Sequence, residues 1–390
     1  MASLLANRAI ECAIENGKAL IKFISPNDAG ATKSHQCGFY LPKGSWELFS
    51  PFAPCKGRLD KHKVQILWDN IFSTESVITW YGKGTRSEYR LTSFGKNFPY
   101  LNPDSVGSLF VFIPVNEVEF NAFILDRDED IEEVQAALGV EIANGWGVFS
   151  SEGQEESKNT CLTKLFSEFA GSLFEFPSTR EFSEQAAVAY RSCVKNFAAL
   201  TQDDKLLELR DIEYALFRVV EQHLCAGLIS EAVKDIDQFL TLASSMLNRR
   251  KCRAGASLEH HFEKILNDAG IPFDSQCRRI RGRPDIIIPS EEAYLNPSYP
   301  RGKLCVLGVK TTCKDRWRQV LDEAPGVDNR YIVTLQPSIS SKQATAMYES
   351  GVSLIVPKKL QKTGYKADAM GSLQVFAIES FLDHAKGTFG

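Results

Sequence analysis

The chain lacks most of the patterns that would disclose its chemistry directly. None of its ten cysteines forms a CxxC pair, and none of its six histidines belongs to an HExxH. His260 and His261 are adjacent, so on a helix their rings would diverge by about 100° and could not easily share a metal. A zinc site is therefore not expected. Scattered cysteines in a chain of 390 residues fit reduced thiols in a cytoplasm better than a disulfide framework. No apolar run reaches the roughly 20 residues that a membrane-spanning helix needs, so no membrane partner is expected. The first 24 residues are broken by Arg8, Glu11, Glu15, Lys18 and Lys22, which excludes a secretion signal and suggests one amphipathic helix over residues 4–24. Gly282 lacks the flanking glycines of a dinucleotide or phosphate loop. No serine, cysteine or histidine sits in a nucleophile elbow.

What is present describes an ordinary globular protein, with 44% hydrophobic and 24% charged residues and length enough for two domains. The net charge of −4 conceals an asymmetry, because fifteen Lys/Arg stand against eight Asp/Glu between Arg249 and Arg318. A basic segment in an otherwise acidic chain fits a localised polyanion site, and equally a solvated charged face.

Short β-branched or aromatic runs separated by Gly, Pro and Asn predict strands over 35–41, 64–68, 77–81, 89–91, 108–115 and 118–125, with a helix over 131–138. That composition suits a mostly-β domain, a barrel or pseudobarrel, over residues 1–155. Residues 150–160 are the most linker-like in the chain, and the connection is placed at 156–176. Helical spacing then predicts helices over 182–200, 205–225, 230–247 and 257–269. Thr201 with Asp204 resembles a capping box, and Gly227 and Gly270 are candidate helix stops. Strands near 285–289, 304–310, 330–335 and 352–356 alternate with helices near 314–324, 340–349 and 373–385. The segment 177–390 is therefore expected to be an α/β domain around a mixed sheet.

One carboxylate at a strand start (Asp285), one lysine at a strand end (Lys310) and one carboxylate on the following helix (Glu323) could converge. Hydrolysis of a phosphodiester calls for a metal that neutralises the phosphate and activates water. Magnesium takes hard oxygen ligands, typically one or two carboxylates with phosphate and water. Asp285 and Glu323 suit that task, Lys310 could orient or deprotonate the attacking water, and Glu259 could add a further acid. The acid common two residues before such a lysine is absent, since position 308 is glycine. On spacing alone, a structural explanation of Asp285 and Lys310 stands beside the catalytic one. Arg249, Arg250, Lys251 and Arg253 precede a predicted helix start, where anions are favoured, and read either as phosphate contacts or as a solvated basic turn. The polar stretches 25–36 and 82–90 likewise fit nucleic-acid contacts or plain turns.

The run VKTTCKDRWRQ from Val309 to Gln319 closely resembles the catalytic region of EcoRII-type restriction endonucleases, as does NRRKCRAGASLE from Asn248 to Glu259. Residues 349–352 and 356–357 continue the likeness. NDAGAT at 27–32 and HQCGFYLP at 35–42 resemble that family's effector domain. The resemblance implies a multidomain protein, with an N-terminal mostly-β DNA-binding pseudobarrel and a C-terminal α/β restriction-endonuclease-like domain of the PD-(D/E)XK class. It implies that the second acid has moved downstream to Glu323, with Asp285, Lys310 and Glu259 completing the catalytic set. Lys314, Asp315 and Arg316 match the family's major-groove readers of C·G pairs. Arg210 and Tyr214 match an arginine and an aromatic ring that hold flipped central bases. Lys33, His35, Lys83, Arg86, Glu88 and Arg90 are the candidate effector-site contacts.

The family's pattern further implies a homodimer that cuts double-stranded DNA with Mg2+, at a 5′-CCWGG or 5′-CCNGG-like site and before the first C, stimulated by a second site copy. A prokaryotic cytoplasm is the implied setting. A cognate DNA methyltransferase is the implied functional counterpart, with no direct binding. The alternative is a catalytically silent, sequence-specific DNA-binding regulator.

Overall fold

The computed structural model describes residues 3–32, 38–142, 145–152, 160–194, 197–232 and 235–389. Two compact units emerge. One comprises Met1–Gln154 with Gln336–Ala346 and Leu360–Gly371, and the other Glu155–Leu335 with Met347–Lys359 and Ser372–Gly390.

The first unit begins with a helix shorter than its periodicity suggests. Ser3 caps α1 (Leu4–Asn16) by accepting from Ala6 N, and Gly17 ends it in the left-handed region at φ 73°. The rest of the expected helix is strand β1 (Lys18–Phe23), so the reading of residues 4–24 as one helix is corrected. Burial on both faces is the cause. Leu20 enters an aromatic-rich core, while Ile21 and Phe23 enter a second core shared with α1. With both faces and even Lys22 buried, the strand shows no alternation that would separate it from a buried helix.

Seven further strands complete the sheet: β2 (Phe39–Leu41), β3 (Leu59–Trp68), β4 (Phe72–Tyr81), β5 (Glu88–Thr92), β6 (Leu109–Pro114), β7 (Glu119–Leu125) and β8 (Trp146–Ser150). Their order is β2-β5-β4-β3-β7-β6-β1-β8. Only the β3–β7 pairing is parallel; the other pairings are antiparallel. Alternation along β6 divides the two cores: Phe110 and Phe112 face Trp68 and Phe39, whereas Leu109, Val111 and Ile113 pack with α1 and with α2 (Asp128–Leu138). In the loop after β1, wholly buried Asp28 accepts from Lys22 Nζ (2.7 Å), Ser25 N (3.0 Å), Ser25 Oγ (2.8 Å) and Tyr40 N (2.7 Å). One carboxylate thus ties both ends of the 25–40 segment to β1.

In the second unit, α3 (Thr160–Gly171), α4 (Thr179–Cys193), α5 (Gln202–Ala232) and α6 (Ile236–Asp268) come first. The first three share a core that includes Phe166, Phe182, Leu216 and Phe217. Thr201 and Asp204 cap α5 reciprocally through Asp204 N to Thr201 Oγ1 (3.1 Å) and Thr201 Oγ1 to Asp204 Oδ2 (2.8 Å). Gly270, at φ 71°, follows the end of α6. Three expectations are corrected. Helix α5 runs through Gly227, the separate helices 230–247 and 257–269 belong to the single α6, and the basic run 249–253 is mid-helix rather than at a helix start. Arg and Lys are good helix formers, and the intervening Gly255 costs only about 1 kcal/mol. A further departure is a Cys161–Cys193 disulfide joining α3 to α4 across a Cα separation of 5.7 Å. The other seven described cysteines are free thiols.

A mixed sheet follows, in the order β14-β13-β12-β11-β10-β9. Its strands are β9 (Asp274–Ser275), β10 (Ile286–Ile288), β11 (Cys305–Lys310), β12 (Asn329–Thr334), β13 (Val352–Ile355) and β14 (Val375–Phe376). β11 to β14 are parallel, and β10 is antiparallel to both β9 and β11. The segment expected to be a helix over 314–324 is instead a 3-10 turn (Arg316–Arg318) and the one-turn helix α7 (Gln319–Asp322).

Candidate active site

Antiparallel pairing brings together residues 25 positions apart in sequence. Ile286 lies opposite Leu307, so the start of β10 meets the end of β11. Asp285 Oδ2 there accepts from Lys310 Nζ (2.7 Å) and from Val309 N (2.7 Å). Asp285 is held by one backbone and one side-chain donor, and both it and Lys310 keep partial exposure.

Glu323 arrives by a different route. It sits just past α7 in extended conformation, at φ −82° and ψ 137°, and not on a helix as expected. Val320 explains its placement. A Cβ on Gly308 would meet Val320 Cγ2 at 3.6 Å and Ile332 Cγ1 at 3.9 Å, ordinary contact distances, so Val320 packs directly over position 308. With Val320 seated there, the chain delivers an acid three residues later. The other side of the turn is much closer. A Cβ on Gly282, whose φ is 83°, would lie 2.6 Å from Asp322 O and 2.7 Å from Glu323 Cα, and Ala324 N donates to Arg281 O (3.0 Å). Gly282 belongs to no glycine motif. Its role depends on backbone forty positions downstream, and only its place three residues before Asp285 hinted at it.

The electrostatics favour a cation. Glu323 is buried, and among the described residues its Oε2 has no hydrogen-bond partner. Burial first, then the Asp285 carboxylate, push its pKa up to about 7 against the opposing pull of Lys310. Half-buried Glu259, on α6, accepts from Gln276 Nε2. Burial raises its pKa too; the Gln276 bond offsets part of that rise, and Asp285 and Glu263 add to it. The predicted set Asp285, Lys310, Glu323 and Glu259 therefore interacts at one place. Among the described residues no three His, Cys, Asp or Glu side chains are gathered tightly enough to hold a metal as they stand. The donor set nevertheless fits Mg2+, which needs only one or two carboxylates beside phosphate and water, and the partnerless Glu323 oxygen is an available hard ligand.

Lys314, Asp315 and Arg316 follow within six residues of Lys310, with Lys314 buried, Asp315 exposed and Arg316 half-buried. Arg210, buried, and Tyr214, half-buried, are one turn apart on α5 and so share a face. In the first unit, Lys83 and Arg86 are exposed between β4 and β5, with Arg86 5.4 Å over the Tyr81 ring. Arg90 is buried, pairs with Glu88 (3.2 Å) and donates to Gly38 O (3.2 Å), so it anchors a loop base instead of projecting. Lys33 and His35 lie outside the described residues. In the basic run, Arg250 forks onto Glu221 (2.7 and 2.9 Å) and Arg253 pairs with Glu213 (3.4 Å).

Two family models cover most of the chain: EcoRII C terminal over residues 217–382, and restriction endonuclease EcoRII, N-terminal, over residues 13–151. The type II restriction enzyme EcoRII of Escherichia coli is 32% identical over 381 residues, spanning 92% of each chain. The chain belongs to the EcoRII family. It is a type II restriction endonuclease, and the resemblance read from the residues around Lys310 is borne out in both halves. Another relative, the type II restriction enzyme SsoII of Shigella sonnei, is 27% identical over 155 residues, or 37% of this chain and 48% of that one. Among solved structures, the PspGI–substrate DNA complex superposes with a TM-score of 0.45 at 17% identity, over 55% of this chain and 93% of that one. Metal-depleted Ecl18kI with uncleaved, modified DNA gives 0.44 at 20% identity, over 58% and 83%.

Proposed function

We propose that this family member hydrolyses double-stranded DNA at a 5′-CCWGG or 5′-CCNGG-like site, using Mg2+ held by Asp285 and Glu323, and that a second copy of the site bound by the N-terminal unit stimulates cleavage. The observation that carries the reading is the buried Glu323 carboxylate, whose Oε2 has no hydrogen-bond partner among the described residues, beside the Asp285–Lys310 pair. When bound, the metal supplies charge neutralisation at the scissile phosphate and a more acidic water. Lys310 orients the attacking water and offsets charge developing on the phosphate, once its ammonium turns from Asp285. Val309 N fixes Asp285 throughout. Glu259, held by Gln276, is the additional acid that keeps that arrangement in place.

The rest of the reading assigns DNA contacts. Lys314, Asp315 and Arg316 read C·G pairs in the major groove, a task suited to arginine on guanine and an acid on cytosine N4. Arg210 and Tyr214 receive central bases turned out of the helix. In the proposed effector pseudobarrel, Lys83, Arg86, Lys33 and His35 contact DNA while Glu88 and Arg90 brace the loop. A homodimer is supported by exposed apolar residues where α5 ends and α6 begins: Leu228, Ile229, Ile236, Phe239 and Leu240. The proposed catalytic domain has the PD-(D/E)XK fold. The proposed setting is the bacterial cytoplasm, with a methyltransferase protecting host sites without binding this protein.

The test maps cleavage ends on a one-site plasmid, with and without Mg2+ and with a short duplex carrying the site. Mg2+-dependent ends before the first C, and faster cutting with the duplex, are expected. Specific binding without nicking would instead indicate a silent regulator. Cutting that ignores the duplex would remove the effector role alone.

A further inference from the structure

Arg253 lies on α6 beside the proposed base pocket but does not belong to it. Its guanidinium carbon is 5.2 Å from the Tyr214 ring centroid and 5.1 Å from that of Phe217, so it contacts two rings three positions apart on α5. Its partner Glu213 directly precedes Tyr214 and is wholly buried. Glu213 also accepts from Ser183 Oγ of α4 (2.6 Å) and lies 2.9 Å from His261 Nε2 of α6. Three helices are therefore fastened at one carboxylate, adjacent in sequence to the aromatic residue assigned to base stacking. A surface salt bridge would contribute little. A buried planar cation packed on a ring is different, because it fixes the ring's plane as well as its position.

We propose that Arg253 is a positioning residue for base extrusion: lying against Tyr214 and anchored by Glu213, it fixes the ring on which a flipped base stacks. The inference rests on the base-flipping role proposed for Arg210 and Tyr214. Its chemistry differs from a phosphate contact by the basic run, because a guanidinium buried between helices does not reach the DNA backbone. The requirement is for a plane as well as a charge, which lysine cannot supply.

The test uses the full-length enzyme and the variant Arg253→Lys, which keeps the cation facing Glu213 and loses the planar group. Two substrates are compared: a duplex with 2-aminopurine in the central pair, and one whose central pair is abasic on both strands. Wild type should show a fluorescence rise on binding. In Arg253→Lys the rise should fall at least fivefold, and kcat should fall about tenfold with KM within twofold. On the abasic duplex, where no base needs a platform, the two enzymes should cut at rates within twofold. A merely structural defect would persist on the abasic duplex, and that result overturns the proposal. Wild-type fluorescence and kcat in Arg253→Lys would overturn it as well. No rise even in wild type would instead overturn the base-flipping role, and this inference with it. Should Arg253→Lys melt more than ten degrees below wild type, both enzymes are compared on the two duplexes at a temperature well below the variant's transition, and the same outcomes decide.

Discussion

Asp28 and Glu323 are both buried carboxylates, one in each compact unit, and the chain treats them in opposite ways. Asp28 receives an ammonium, a hydroxyl and two backbone N–H groups. Among the described residues, one oxygen of Glu323 receives nothing, and its neighbours include a second acid. Leaving a buried charge unsatisfied costs several kcal/mol, and a fold does so only where something else repays it. Asp28 is therefore a fastening, whereas Glu323 is left open, in keeping with the metal-holding role proposed for it. The hydrogen-bond inventory distinguishes the two.

The contrast can be pressed hardest at Glu323 itself. Glu323→Gln should lower Mg2+-dependent cleavage by at least about 10³-fold, while the melting temperature at pH 8 stays level or rises because a buried amide needs no ionisation. Paired cleavage and melting measurements decide it, and more than a tenth of wild-type activity would detach Glu323 from the chemistry. Asp28→Asn should do the reverse. It leaves Lys22, whose side chain is 6% exposed, with the neutral Tyr40 O (2.8 Å) but no countercharge, and should cost about 3 kcal/mol in a urea titration; a loss under about 1 kcal/mol would refute the fastening role. Gly282→Ala comes next. Its φ of 83° and the 2.7 Å approach to Glu323 Cα should cost about 1–2 kcal/mol of stability and lower cleavage roughly tenfold or more by moving the acid. Unchanged kcat would separate Gly282 from Glu323.

The smallest effect is a pH dependence with a defined sign. Glu323 is raised from 4.5 to about 7 in the folded chain, so between these values the folded state binds the extra proton. Metal-free stability should then fall as pH rises through that window, by at most about 1.4 kcal/mol per pH unit. Mg2+ needs the ionised form, so its apparent affinity should climb up to about tenfold per unit below pH 7 and level off above. Thermal shifts with Mg2+ at pH 6, 7 and 8 would show this, and Glu323→Gln should flatten the profile. An equal Mg2+ response at all three pH values would contradict the assigned burial effect.

Much of the architecture was legible because its causes are local. The β-branched and aromatic runs of the first half form strands, and Thr201 with Asp204 forms its cap. What escaped depends on distant partners. The long α6 looked interrupted because Arg250 and Arg253 read as surface charges; their acids, Glu221 and Glu213, lie on another helix. Residues 18–23 looked helical because both faces of that strand are buried. In the site, the acid–lysine–acid order could be read from sequence, and the antiparallel β10–β11 pairing gives a physical reason for Asp285 meeting Lys310. The turn bearing Glu323 could not be read, since Val320 on Gly308 and the close approach of Gly282 form it. The Cys161–Cys193 link, 32 positions apart, was hidden in the same way by packing.

The seat of Val320 on Gly308 has a mechanical corollary. Asp285 and Lys310 are bound to strand register, where a one-residue slip turns a side chain to the opposite face. Glu323 is bound to a buried turn packed between Gly308 and Gly282. Two of the three groups thus answer to the sheet and the third to the packing of a turn, so each is displaced by a different kind of substitution.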